Sequence, residues 1–195
     1  MEKTADIKKI RKAMEKCQDE KRFTHTLGVA YTATALAMRY DADIKKAETA
    51  GLLHDCAKCM DNDKRISICK KHHISITEVE KRNPFLLHAK VGSFIAMDKY
   101  HIHDTDIINA ILNHTTGRPG MSLLEKIIFV ADYIEPSRKQ APNLAQIRRL
   151  AFVDLDGALL NILQDTLRYL ENIGGDTDPM TQKTYDYYKK DKEKS

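Results

Sequence analysis

Six residues stand out for the chemistry they could do together: His25, the adjacent pair His54-Asp55, His88, His114 and Asp132. Imidazole and carboxylate in combination suit a hydrolytic transition-metal centre, because neutral nitrogen and anionic oxygen bind a divalent ion firmly without quenching its Lewis acidity. Taken singly, each histidine reads more simply as a hydrogen-bonded core residue. The setting of the acids tips the balance. His54-Asp55 follows Ala50-Gly51-Leu52-Leu53 and Asp132 follows Ile128-Phe129-Val130-Ala131, both of which read as buried segments. An uncompensated carboxylate in such a place is costly, so each needs a cation or a basic side chain beside it. The competing reading is ion pairing, Lys58 with Asp55 and Lys126 with Asp132.

Helices are the elements that must hold these groups. Apolar residues recur at three- and four-residue spacing and sustained alternation is nearly absent, which reads as all-α. Ile7, Ile10, Met14 and Cys17 make one stripe, and a second helix is expected over 24–39. A third starts at Asp43, a good N-cap, and runs through Ala47, Ala50 and Leu53 to His54-Asp55. Asp61-Asn62 reads as a turn and 64–71 as a short helix, while 72–82 carries no clear signal. Asn83-Pro84 opens a helix with Leu87, Val91, Phe94 and Ile95 on its buried face, and Asp104 opens one ending near His114. Ser122 and Glu125 have capping-box spacing ahead of 127–131, in a helix that stops close to Pro136. Asp154 begins a long helix reaching Gly174-Gly175, and Asp178-Pro179 launches a last one through Tyr188.

A chain of 195 residues, 42% apolar and 31% charged, fits one ordinary domain, taken as 1–188. The formal charge is +4, but Lys189, Lys190, Lys192 and Lys194 against Asp191 and Glu193 put a net +2 into 189–195, expected to be a disordered tail. The nearly neutral remainder argues against a general nucleic-acid coat and leaves room for local basic groups beside an anionic substrate. Apolar runs such as 127–131 fall far short of a membrane span, and 1–6 has no apolar signal region. The expected location is the cytoplasm, with no membrane partner, and Cys17, Cys56, Cys59 and Cys69 are expected as reduced thiols.

The ordered set resembles the HD superfamily of metal-dependent phosphohydrolases, an all-α HD-domain helical bundle. Longer strings sharpen the likeness: His25-Thr26-Leu27-Gly28-Val29-Ala30, Leu52-Leu53-His54-Asp55-Cys56-Ala57-Lys58, Leu86-Leu87-His88-Ala89, His114-Thr115-Thr116-Gly117 and Ala131-Asp132-Tyr133-Ile134-Glu135-Pro136-Ser137-Arg138. These are similar to the YqeK branch, whose members are symmetrical dinucleoside tetraphosphate hydrolases, over roughly 22–188. The resemblance implies that His25, His54, Asp55 and Asp132 hold a principal metal, usually iron, as one or two ions. His88 and His114 would complete a second position or touch phosphates, with Asp55 bridging. Zinc, manganese or nickel would suit the same donors. It also implies catalytic roles for Asp55, Lys58, His88 and His114. Substrate contacts are implied for Arg22, Lys58, His88, His114, Thr115, Tyr133, Arg138, Gly175 and Met180, the last two from a segment lining the nucleotide end. The expected substrate is diadenosine tetraphosphate, the product ADP, and a homodimer is possible.

Two alternatives compete with this reading. An HD nucleotidase or phosphodiesterase could act on another nucleotide, and a nucleotide-sensing or ribosome-associated binding module could carry a vestigial site. A vestigial site should have lost a ligand, and every expected position is filled. A rival metal site is also conceivable, since Cys56 and Cys59 have thiolate-pair spacing and Cys69 with His72 could complete four zinc ligands. It would crowd the turn after Asp55, and Cys56 and Cys69 read better as small core residues.

Overall fold

A computed structural model describes residues 6–193. The start of the chain at 1–5 and the end of the basic tail at 194–195 lie outside the described residues. Eleven α-helices are present among the described residues: α1 Ile7–Cys17, α2 Glu20–Arg39, α3 Ile44–Leu53, α4 Asn62–Lys71, α5 Glu78–Arg82, α6 His88–Asp98, α7 Thr105–Asn113, α8 Leu123–Ile134, α9 Leu144–Leu150, α10 Leu155–Asn172 and α11 Pro179–Lys192. A 3-10 turn, Pro84–Leu87, precedes α6, and there is no strand among the described residues. Aspartates cap most of the starts. Asp6, Asp19, Asp43, Asp104, Asp154 and Asp178 each accept a backbone N–H from the first turn of the helix that follows.

α2 is the central strut, packed against α3 and α8, while α7 bridges α3, α6 and α8. The α2–α3 crossing is close because its contact residues are small: Ala30, Ala33, Ala37, Ala47 and Ala50 are all buried. Gly51 marks the tightest point, where an added Cβ would lie 2.6 Å from the Ala30 Cα. This approach brings His25 on α2 beside His54 at the end of α3, with ring centroids 5.4 Å apart. Leu53 belongs to the main apolar core and Ala57 to a smaller cluster with Cys69, Leu87 and Val91, so His54-Asp55 falls where the two meet.

Four elements differ from the sequence expectation. α2 starts at Glu20, which puts Arg22 on the same helix as His25. Within 72–82, α5 is opened by a full capping box: the Glu80 N–H donates to the Thr77 hydroxyl and the Thr77 N–H to the Glu80 carboxylate. α9 fills a stretch that carries no sequence expectation, and Arg148 on it donates to the carbonyls of Ile134, Glu135 and Arg138, pinning the end of α8. The tail expected to be disordered from 189 is helical through Lys192. Buried Tyr188 anchors it, its hydroxyl accepting the Met121 N–H at 2.8 Å, and Lys192 reaches Asp154 at 3.1 Å.

The Gly51 contact generates a prediction. Gly51→Ala gains about 0.5–1 kcal/mol of helix propensity but must push backbone away from backbone, an overpacking that costs about 1–3 kcal/mol. The urea midpoint of the variant should fall. A midpoint equal to or above that of the parent would contradict the close crossing.

Candidate metal centre and adjoining cleft

Three of the four clustered histidines sit at helix ends. His54 follows the last residue of α3, His114 follows that of α7, and His88 opens α6 directly after the 3-10 turn. In each, ring Nδ1 lies 2.7 Å from the carbonyl oxygen three residues back, that of Gly51 for His54, Ile111 for His114 and Phe85 for His88. A carbonyl only accepts, so Nδ1 carries the hydrogen and Nε2 keeps its lone pair. One bond thus satisfies a helix-terminal carbonyl and aims a ring. His25, inside α2, donates instead from Nδ1 to the Glu135 carboxylate at 3.0 Å.

The free nitrogens converge on Asp55. Its Oδ2 is 3.8 Å from His25 Nε2 and 3.6 Å from His54 Nε2, and its Oδ1 is 3.3 Å from His88 Nε2 and 3.6 Å from His114 Nε2. Two buried groups could therefore hold an ion, His25-His54-Asp55 and Asp55-His88-His114, with the carboxylate common to both. Asp132 adjoins the first, its Oδ1 3.1 Å from His25 Nε2. The residues fit a divalent cation on two observations. Lone pairs of His88 and His114 face each other at 3.1 Å, and Asp55 Oδ1 is buried without a hydrogen-bond donor. A positive charge between them relieves both.

Electrostatics prepares the same state. Burial lowers the pKa of His54 to about 4, against the pull of Asp55 and Asp132. Burial and the neighbouring Lys58 ammonium likewise hold His88 well below the usual imidazole value. For Asp55, burial opposes ionisation, yet the surrounding imidazoles and Lys58 keep the carboxyl well below the carboxylate range. Neutral nitrogen and anionic oxygen are the forms that ligate metal. His25 runs the other way: burial opposes its charge, but Asp132 and Glu135 raise its pKa.

Basic residues border the cluster in an arrangement that differs from simple ion pairing. Arg22, rather than Lys58, contacts Asp55 directly, with Nη1 to Oδ2 at 2.7 Å, while Lys58 Nζ stands 4.0 Å from Oδ1 and 3.1 Å from His88 Nε2. Lys126 does not neutralise Asp132, because it is engaged by Asp156 at 2.7 Å on the far side of α8. Arg138 does so, donating from Nη2 to the Asp132 carboxylate at 2.8 Å and to its carbonyl at 2.7 Å. The Thr115 hydroxyl lies 3.3 Å from His88 Nε2 and 3.2 Å from His114 Nε2.

Thr115 also lines a cleft of about 680 Å³, counted with its open mouth, whose other walls include Leu86, Ala89, Leu112, Asn113, Asp178 and Met180. The segment after α10 is tied beside it, since Arg82 and Asn83 both donate to the Asp176 carboxylate. Met180 lines this cleft. Gly175 is not among the residues lining this cleft, because the chain there turns back on Ile173 and Leu170. Tyr133 also points elsewhere, giving its hydroxyl to the Pro142 carbonyl at 3.1 Å.

The thiol site does not assemble. Cys69 is buried in the small apolar cluster, Cys59 is exposed near Asp19, and His72 stacks on Phe94 with centroids 4.2 Å apart. Burial pushes the Cys56 thiol up, away from the thiolate a metal needs. The residue that sequence reasoning missed is Glu135. Its signal was its place three residues after Asp132 in a helix that Pro136 ends, and its 1% exposure could not be read from the chain.

A family model described as HD domain matches residues 22–137. The chain belongs to the HD domain family. Within it, the chain is 41% identical to a Bacillus subtilis (strain 168) protein named "Bis(5'-nucleosyl)-tetraphosphatase, symmetrical", over 86% of this chain and 89% of that one. A protein of the same name from Halalkalibacterium halodurans is 44% identical over 85% of this chain and 88% of its own length. The crystal structure of a predicted HD superfamily hydrolase involved in NAD metabolism, from Clostridium acetobutylicum, superposes with a TM-score of 0.91 at 41% identity, covering 94% of this chain and 97% of that one. Asp55 of the His54-Asp55 pair is the one residue that both metal-capable groups share.

Comparing two variants tests the location of the metal. Asp55→Ala should bind less than one tenth of the parent's divalent metal by elemental analysis while keeping its helical circular dichroism. Cys56→Ser with Cys59→Ser should retain metal within about twofold. The opposite pattern would move the ion to the thiols.

Proposed function

We propose that this chain is a metal-dependent hydrolase that splits dinucleoside tetraphosphates symmetrically, diadenosine tetraphosphate giving two ADP. The observation that carries this reading is the pair of His/Asp groups sharing Asp55 and opening through Thr115 onto the cleft. The near full-length likeness to symmetrical tetraphosphatases supports the substrate. An HD nucleotidase acting on a mononucleotide has no comparable support.

In this reading His25, His54, Asp55 and Asp132 hold the principal cation and Asp55, His88 and His114 a second. Iron is the metal proposed, and zinc, manganese or nickel suit the same donors. A bound cation lowers the pKa of water and withdraws charge from phosphoryl oxygens. The chain's own residues bind, orient and neutralise. Arg22, Lys58 and Arg138 have side chains 31%, 31% and 37% exposed at the rim, and offer charge-assisted bonds to the phosphate chain. Leu86, Ala89, Leu112 and Met180 give one nucleoside apolar surface, while Asn113, Thr115 and Asp178 supply polar contacts.

No helix among the described residues is long and apolar enough to cross a membrane. A cytoplasmic setting is proposed from the free thiols.

Water attacks a phosphorus next to the central bridging oxygen. The bond from that phosphorus to the bridging oxygen breaks, and the bridging oxygen leaves with the other half. Hydrolysis in oxygen-18 water should therefore yield only ADP, with label in one of every two molecules. ATP plus AMP would mean asymmetric cleavage and would overturn the substrate geometry even if the metal site were correct.

A further inference from the structure

Glu135 is almost fully buried, and nothing assigned so far explains why a carboxylate is kept there. It accepts three hydrogen bonds. His25 Nδ1 and the Ser137 hydroxyl reach Oε1 at 3.0 and 2.7 Å, and the Ser137 N–H reaches Oε2 at 2.6 Å. Its own backbone is fixed by Arg148 on α9 and by the Arg138 N–H. The second, independent observation lies across on α2. Gly28, one turn after His25, is the residue whose missing side chain gives Glu135 its room, since a Cβ there would lie 2.5 Å from Glu135 Oε2 and 3.3 Å from its Cδ.

We propose that Glu135, seated in the gap at Gly28, is a positioning residue that holds the His25 ring with Nδ1 protonated and Nε2 turned toward the cation. This rests on the metal-centre reading above. The other three histidines obtain the same tautomer from helix-end carbonyls. His25 sits mid-helix, where each carbonyl is taken up by the helix itself, so its acceptor must come from another element. A carboxylate also makes the ring more basic toward a metal than a carbonyl does.

A carboxamide cannot replace it. Glu135→Gln has one oxygen for three donors, and its NH₂ must face either the Ser137 N–H or His25 Nδ1. The second arrangement drives the ring proton onto Nε2, the nitrogen the cation needs. Gly28→Ala tests the gap separately. The atoms it strikes belong to the Glu135 side chain and not to backbone, so the helix keeps its course while Glu135 is displaced from His25 and Ser137.

The experiment measures zinc affinity by chelator competition and thermal unfolding of the metal-free protein, for the parent, Glu135→Gln and Gly28→Ala. Both variants should bind zinc about 10- to 100-fold more weakly, with both metal-free proteins still unfolding in one cooperative transition. Zinc affinity within twofold of the parent in Glu135→Gln overturns the inference. So does a Gly28→Ala protein that binds zinc as tightly as the parent, because the seat of Glu135 would then not depend on the gap. If the parent itself binds no divalent cation, the metal-centre reading fails first, an outcome distinct from either.

Discussion

A carboxylate buried with one oxygen lacking a donor is among the least favourable arrangements a folded chain can keep, and Asp55 is held in that arrangement from every side. Its carbonyl accepts from Gln18 Nε2 and the Lys58 N–H, and its Oδ2 accepts from Arg22. Only Oδ1 is left without a donor, facing the nitrogens of His88 and His114. The surrounding fold makes sense as the means of keeping that oxygen dry and those nitrogens aimed. Placing a cation there turns the least favourable feature of the metal-free chain into its main source of local stability, because ligands that repel one another become ligands of a common charge.

The helices accomplish this mainly through where they stop. α3 and α7 end one residue before a histidine, and the 3-10 turn gives way to α6 at another, so carbonyls that helix ends leave unpaired are used to aim imidazoles. Small residues along α2 and α3 let the two backbones approach until His25 and His54 meet. The loop between α7 and α8 is held by a second buried acid. Glu125 accepts from Asn113, Arg118 and the Ser122 N–H, which fixes the His114-Thr115 turn beside the cleft. Three buried carboxylates, Asp55 after α3 and Glu125 and Glu135 at the two ends of α8, thus each organise one side of the site.

Much of this was legible in the chain. Residue types at helix ends gave the metal-capable set, and Asp and Ser caps gave most helix starts. What escaped reading depended on pairings between distant segments. α9 is short and gains its place from Arg148 on the end of α8 and Asn143 on Asp165, contacts that no local period announces. The basic tail looked solvated by composition, yet Tyr188 and Lys192 dock it. Arg138 was read as a phosphate ligand, and its bond to Asp132 shows that one guanidinium can serve an acid in the resting site. Glu135 was invisible for a similar reason, since its partner His25 lies 110 residues earlier.

The chemistry that follows is a division of labour. In the proposed function, histidines and acids hold cations, rim cations meet phosphates, and the cleft beyond Thr115 receives a nucleoside. All of it depends on Asp55 serving both sides. Anomalous diffraction from crystals of the metal-loaded protein, collected above the absorption edge of the metal, tests that dependence most directly. Peaks within about 2.0–2.2 Å of ligating His Nε2 atoms are expected on both faces of the Asp55 carboxylate, toward His25 and His54 on one and His88 and His114 on the other. Density only at surface thiols, or none in contact with Asp55, would contradict a carboxylate-centred site.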